Sequence, residues 1–265
     1  MLRRYFHSTG TWQGMRRGLT IAMIGIVLLF CAAIIVVYVS IGSVITSSVE
    51  KYGSAMTQTS VTLTEAEFSP TTGEATLLNL KVESPVPFTA QPALLAPRIE
   101  IQIDPHTIGQ ETIVIKRLMV EAPEITYEII KSGDNLRKIR DHIKDAVSAE
   151  QRGQFPLDRK GSPKKIIIDD LYIQNGVVIV QAENLTGNRE TALLEDIHLE
   201  NVGQAENGLE AAALIEEIYA SVLQATTLAA LSTDLNLSDQ MRNILRGASD
   251  ETEELVNHLR NLLEK

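Results

Sequence analysis

The sequence predicts an α+β protein with a single N-terminal transmembrane helix, a mainly antiparallel β-sheet module and a helical C-terminal region. Three observations carry that expectation: an uncharged apolar run at Leu19–Val39, a series of alternating segments between Val61 and Leu199, and helical periodicity from Leu209 onward. They divide the chain into a basic cytoplasmic tail (1–17), an anchor (18–45), a β-rich domain (46–203) and a helical region (204–265).

Leu19–Val39 is interrupted only by Thr20 and Gly25, and no charge falls between Arg17 and Glu50. At about 1.5 Å per residue such a helix spans roughly 30 Å, the thickness of a bilayer's hydrocarbon core. A buried globular helix would keep a polar face, which this run lacks. A cleaved signal peptide would have a shorter apolar region and a small-residue cleavage site, so the run is expected to stay as a signal-anchor. Arg3, Arg4, Arg16 and Arg17 precede it without an acid among them, and Glu50 and Lys51 nearly cancel after it. The positive-inside rule then keeps the N-terminus in the cytoplasm.

The chain's net charge of −10 hides an asymmetry, because the tail carries +4 and the part beyond the anchor −14. An acidic domain argues against nucleic acid as a partner. Cys31, the only cysteine, lies in the expected span, which leaves the domain without a disulfide, a thiolate nucleophile or a thiolate metal ligand. His7, His106, His142, His198 and His258 show no metal-ligand spacing.

Beyond the anchor, residues 46–59 read as a membrane-proximal helix or a continuation of the anchor. Strands are expected at 61–68 and Glu74–Glu83, joined as a hairpin through Ser69-Pro70-Thr71-Thr72-Gly73. Pro85, Pro87, Pro92 and Pro97 mark a loop. In Arg98–Asp104 the side chains of Ile99, Ile101 and Ile103 share a face, as do Ile125, Tyr127 and Ile129 in Glu124–Lys131. That alternation suits an antiparallel sheet with one wet face. Asp134–Ala149 has helical spacing at Leu136, Ile139, Ile143 and Val147. The stretch Lys131–Lys165 carries a net +5, and Arg137, Lys138, Arg140 and Lys144 are its candidate contacts to anionic lipid, a solvated surface being the alternative. Lys164–Gln174 and Val177–Ala182 flank Asn175-Gly176, a strong hairpin signal. After a turn at Gly187-Asn188 a last strand is expected at Leu193–Leu199. Two helices follow: Leu209–Ala230, with a stripe of Ile215, Ile218, Tyr219, Val222 and Leu223, and Ser238–Lys265, broken near Gly247.

Motifs that carry chemistry are missing: there is no GxSxG, Walker loop, GxGxxG or HExxH. Asp169 and Asp170, adjacent in a strand, point to opposite faces. No catalytic residue, metal site or cofactor is expected, and an enzyme is disfavoured.

The order of these pieces resembles the N-terminal module of AsmA-like proteins, a bacterial envelope family that includes the longer AsmA and TamB proteins. The matching residues are the hairpin followed by Ser84-Pro85, the I-x-I-x-I-D strand at Ile99–Asp104, Val120–Ile125 for I-x-P-x-I, and Asn135-Leu136 where a helix starts. The resemblance runs over about Leu19–Gly203 and implies an inner-membrane protein with a folded-over sheet facing the periplasm and handling lipid. The β portion here, about 140 residues, is too short to cross an envelope. Local lipid handling through the apolar sheet positions Ile99, Ile101, Ile103, Ile125, Tyr127 and Ile129 is one expectation. The other is a scaffold docking envelope proteins or a second copy through its C-terminal helices. Whether that sheet face forms a groove or is covered by those helices stays open at this level.

Overall fold

The computed structural model describes residues 41–90, 92–154, 164–182 and 189–233, with 243, 246 and 247. The tail, most of the anchor, the Gly187-Asn188 turn and nearly all of the Ser238–Lys265 helix lie outside the described residues. The described chain is α+β, with three helices and a twelve-stranded, mainly antiparallel sheet.

Helix α1 (41–57) leads into β1 (Val61–Thr62) and β2 (Glu65–Ser69), which pair with β3 (Glu74–Val82). The Ser69–Gly73 hairpin turn is therefore as the sequence predicts. Strand β4 (Leu94–Ile103) and a 3₁₀ turn at Pro105–Thr107 lead to β5 (Thr112–Glu121) and β6 (Glu124–Ile130). The short β7 (Gly133–Asp134) precedes α2 (Asn135–Gln151), whose N-cap Asp134 accepts from the Arg137 amide, as orphan helix donors require. After β8 (Lys165–Gln174) and β9 (Val177–Ala182) come β10 (Glu190–Leu193), β11 (Ile197–Val202), β12 (Leu209–Glu210) and α3 (Ala211–Leu231).

Several expectations need correction. Pro97, expected in a loop, lies within β4, an interior strand of the sheet. Asn175-Gly176 is not a hairpin turn. β8 runs parallel to β5 and β9 runs parallel to β6 with one unbroken offset, so β8 and β9 form a single long strand interrupted in its middle. The sheet is accordingly mixed, with α2 as the crossover between parallel neighbours. The expected last strand is likewise two segments: β10 and β11 pair with β9 and β8 in one antiparallel register.

What interrupts these strands is one row. Thr64, Asn79, Pro97, Ala122, Asn175 and Glu195 stand side by side in one row across the sheet, each flanked above and below by paired residues. Asn79, Ala122 and Asn175 have φ of 53°, 49° and 57°. A strand buries every second residue, but here the inward positions jump by odd steps: Leu77 to Leu80, Ala96 to Ile99, Val120 to Ile125, Ile173 to Val178 and Leu194 to Ile197. Each strand has taken one extra residue at the same level, a bulge shared by all neighbours that leaves the register intact. Backbone hydrogen bonds next to the row still join the strands, from Ala122 N to Gln174 O (2.8 Å) and from Leu194 N to Gly176 O (2.9 Å), while the Asn175 amide donates to Asp196 Oδ1 (3.1 Å).

The inner face carries two linked apolar clusters. One joins β6, β8 and β9 to α2 and α3, and the other lies under α1 with Leu63, Ala66, Leu77, Ala96 and Ile99 at its centre. β6 is buried on both faces, unlike the half-wet strand expected, because the loop after β3 folds over Thr126 and Glu128. Among the described residues α3 is the one helix long and apolar enough to cross a membrane. It packs on α2 and on the sheet, which accounts for its apolar character as that of a core helix.

Candidate functional site

The three helices do not fill the inner face of the sheet. Between them lies a cavity of about 380 Å³ whose wall is almost wholly apolar. Helix α1 contributes Val49, Tyr52, Gly53, Met56 and Thr57, and α2 contributes Leu136, Ile139 and Ile143. From α3 come Ile215, Ile218, Tyr219, Val222 and Leu223, the whole stripe that helical periodicity picked out. The sheet closes the space with Leu80, Val82, Ala93, Leu94, Ala96, Ile99, Val120, Pro123, Ile125 and Ile173, on both sides of the row of extra residues.

The polar atoms carried by this wall are turned away or already bonded. Tyr52 Oη donates to Glu150 (3.3 Å), Tyr219 Oη to Leu136 O (2.9 Å) and Thr57 Oγ1 to Gly53 O (2.8 Å). No side chain in the wall is charged. Burial pushes the Tyr219 phenol well above its usual ionisation range, so it stays a neutral donor at every physiological pH. Such a space excludes water, which needs two to four polar partners to stay, and accepts hydrocarbon.

Of the six sheet positions that sequence reasoning selected, Ile99 and Ile125 line the cavity. Tyr127 and Ile129 are fully buried in the core beside it. Ile101 packs half-buried on the cluster under α1, and Ile103 is half-buried near the end of β4. The helix over 46–59 is as the sequence predicts, but its cavity-facing residues are not among the selected positions, because no apolar stripe was assigned to it.

The four basic candidates on α2 are not gathered around the cavity. Arg137 pairs with the buried Asp134 and Arg140 with Asp141. With Lys138 they border a separate polar hollow of about 420 Å³ shared with Pro87 and Phe88. Lys144, further along α2, is half-buried. Burial raises the Asp134 carboxyl above the usual range while the Arg137 guanidinium opposes it, so this pair serves the helix cap first.

Asp169 and Asp170 have separate partners. Asp169 pairs with Lys116 (3.0 Å), and Asp170 accepts from His198 (2.9 Å), whose ring stacks on Tyr172 at 4.2 Å. Asp170, His198 and Glu200 bring ligand atoms within 4.8 Å of one another on the exposed face of β8 and β11, a cross-strand grouping that sequence spacing could not reveal.

On α3, Glu217 is half-buried. Burial, and then the charge of Glu206, lift its carboxyl from about 4.5 to about 6. The folded state therefore holds a proton that the unfolded chain releases, and the stability this contributes below the ordinary value is lost as pH rises through about 6. Glu217→Gln is expected to flatten that loss and to raise stability at pH 7 by up to about 1 kcal/mol after solvent screening. Urea midpoints measured from pH 4 to 8 check it.

No family model matches the chain, and no curated protein matches it.

Proposed function

We propose that this chain is an inner-membrane-anchored periplasmic protein of envelope maintenance that holds the hydrocarbon part of a lipid. The observation that carries the reading is the uncharged cavity of about 380 Å³ walled by all three helices and the sheet. Its size falls in the roughly 300–1,000 Å³ range of ligand pockets. An apolar cavity of ~150 Å³ already takes up benzene, so this one has room for a longer alkyl chain. Because Tyr52, Tyr219 and Thr57 spend their hydroxyls within the protein, recognition is by shape and burial. The head group stays outside. The apolar run at Leu19–Val39 and the basic tail support the anchor and its orientation, and the resemblance to AsmA-like proteins supports the compartment. The reading assigns no catalytic step.

The test is lipid mass spectrometry on the full-length protein purified from membranes, beside Val222→Trp, which fills the cavity. The expected result is a phospholipid or acyl species near one per chain in the wild type, reduced at least fivefold in Val222→Trp at unchanged secondary structure. An equal yield of lipid from both proteins, or none from either, refutes the reading.

A second reading, an assembly module, draws on a different observation. Leu193 on the edge strand β10 is 82% exposed, and Leu228 and Leu231 on α3 are exposed as well. Large apolar side chains at a sheet edge suit docking of another envelope protein or a second copy.

A further inference from the structure

We infer that the end of the sheet formed by the β2–β3 turn (Ser69–Gly73) and the β4–β5 connection (Asp104–Glu111) rests on the bilayer surface. The inference rests on the membrane span expected at Leu19–Val39, and it is independent of what fills the cavity.

The chain leaves the expected span at the start of α1, so the N-terminal end of α1 is its membrane end. The segment 61–66 runs back down that helix. Val61 N bonds Ser54 Oγ (3.0 Å), Leu63 N bonds Glu50 Oε1 (3.0 Å), and a Cβ on Gly42 would come within 2.3 Å of Ala66 O. From Ser54 to Gly42 a helix advances about 18 Å, and from Val61 to Ala66 a strand advances about 17 Å. The two match, so helix and strand lie antiparallel and in register over that length. Gly42 is the residue that permits the closest approach, since any side chain there meets backbone.

Beyond Ala66 the strand continues for three more residues before it turns, about 10 Å further toward the membrane. The turn at Ser69–Gly73 thus lies about 10 Å beyond Gly42 in the direction of the expected span. The β4–β5 connection is held at the same level: Ile103 N bonds Gly73 O (2.8 Å), and Lys164 Nζ bonds Gln110 O.

Composition agrees with geometry. In a domain carrying −14, the turn residues 70–73 (Pro-Thr-Thr-Gly) and 105–110 (Pro-His-Thr-Ile-Gly-Gln) contain no Asp, Glu, Lys or Arg, and the acids Glu74, Asp104 and Glu111 stand only at their edges. Ile108 is 40% exposed on the second tip. Lys164 and Lys165 stand beside it, where they face anionic head groups, whereas Arg137 and Lys138 start α2 next to the β6–β7 turn at the opposite end. A bilayer is the occupant that uncharged, mildly apolar tips beside lysines fit, and the span's exit point places it there. Seating of this kind holds the cavity wall of α1, Val49 to Thr57, about 10–22 Å above Gly42, so a lipid must rise out of the bilayer to fill it.

The full chain carries one tryptophan, Trp12, which allows a site-by-site depth test. In a Trp12→Phe background, Thr71→Trp, Ile108→Trp and Val86→Trp are each reconstituted into phosphatidylcholine vesicles with and without bromine on one acyl chain. Val86 is 87% exposed in the loop after β3, at the far end of that strand from Gly73. Brominated lipid is expected to quench Thr71→Trp and Ile108→Trp at least twofold and to leave Val86→Trp unchanged, whichever way the chain inserts. Chain that floats with the vesicles while Thr71→Trp and Ile108→Trp stay unquenched overturns the seating and leaves the span standing. Chain that fails to float overturns the span and the seating together. Equal quenching at Val86→Trp overturns the orientation.

Discussion

Replacing Glu128 with alanine is expected to lower stability by about 3 kcal/mol. The carboxylate is 5% exposed on the back of β6 and accepts three hydrogen bonds from the proline-spaced loop: Thr89 N (2.8 Å), Ala90 N (2.8 Å) and Thr89 Oγ1 (3.0 Å). Removing it strands buried donors, which costs more than the bonds themselves contributed. The damage spreads because the loop is tied at a second point. Asn135 Nδ2 donates to Ser84 Oγ (3.0 Å) and to Thr126 O (2.8 Å), its Oδ1 accepts from Glu128 N (2.9 Å), and Ser84 Oγ donates to Ala90 O (2.6 Å). Every polar atom in the set has a partner, the condition under which a buried network stabilises. Thr89→Ala is the control: it removes one hydroxyl at an exposed position and is expected to cost less than about 1 kcal/mol. Urea denaturation of the two variants side by side, followed by circular dichroism, decides it. A Glu128→Ala loss no greater than that of Thr89→Ala would mean that the loop does not depend on the carboxylate.

That network also shows where sequence reading stops. Ser84-Pro85 and Asn135-Leu136 were legible as a pattern, yet 51 residues separate the side chains that meet. Helices α2 and α3 were legible because burial on one side of a helix leaves a 3.6-residue rhythm. The whole α3 stripe lines the cavity, but the rhythm says only that a face is buried, not that the burial is incomplete. Strand β4 was legible from Ile99, Ile101 and Ile103, and the turn at Ser69–Gly73 from its Pro and Gly. The row of extra residues was not legible, for a physical reason. Asparagine at φ near +55° serves a hairpin turn and a strand bulge equally well, so the local sequence is the same for both. The discriminating fact is non-local: the runs on either side of Asn175-Gly176 pair in parallel with β5 and β6.

This difference makes the two residues of that dipeptide behave differently under substitution. In a hairpin turn of the expected type both would need positive φ. Here Asn175 has φ of 57° while Gly176 is not among the positive-φ glycines, and it is held small by crowding instead. A Cβ on Gly176 would lie 2.8 Å from a Leu194 methyl and 3.1 Å from Pro123. Asn175→Gly is therefore expected to be neutral or slightly stabilising, since glycine takes the left-handed region without strain. Asn175→Val is expected to cost about 2–3 kcal/mol, because a β-branched side chain is an outlier there. Gly176→Ala is expected to cost about 1–2 kcal/mol through overpacking, an effect that Leu194→Ala in the same chain would partly relieve. Ala122, at φ of 49° in the same row, gives an independent check: Ala122→Gly is expected to stabilise by about 1 kcal/mol. Urea midpoints of these variants, with the Gly176/Leu194 double mutant closing the cycle, separate a shared bulge from a turn. If Leu194→Ala gave no relief to Gly176→Ala, the packing of β10 against the row, and with it the single long strand from β8 into β9, would have to be redrawn.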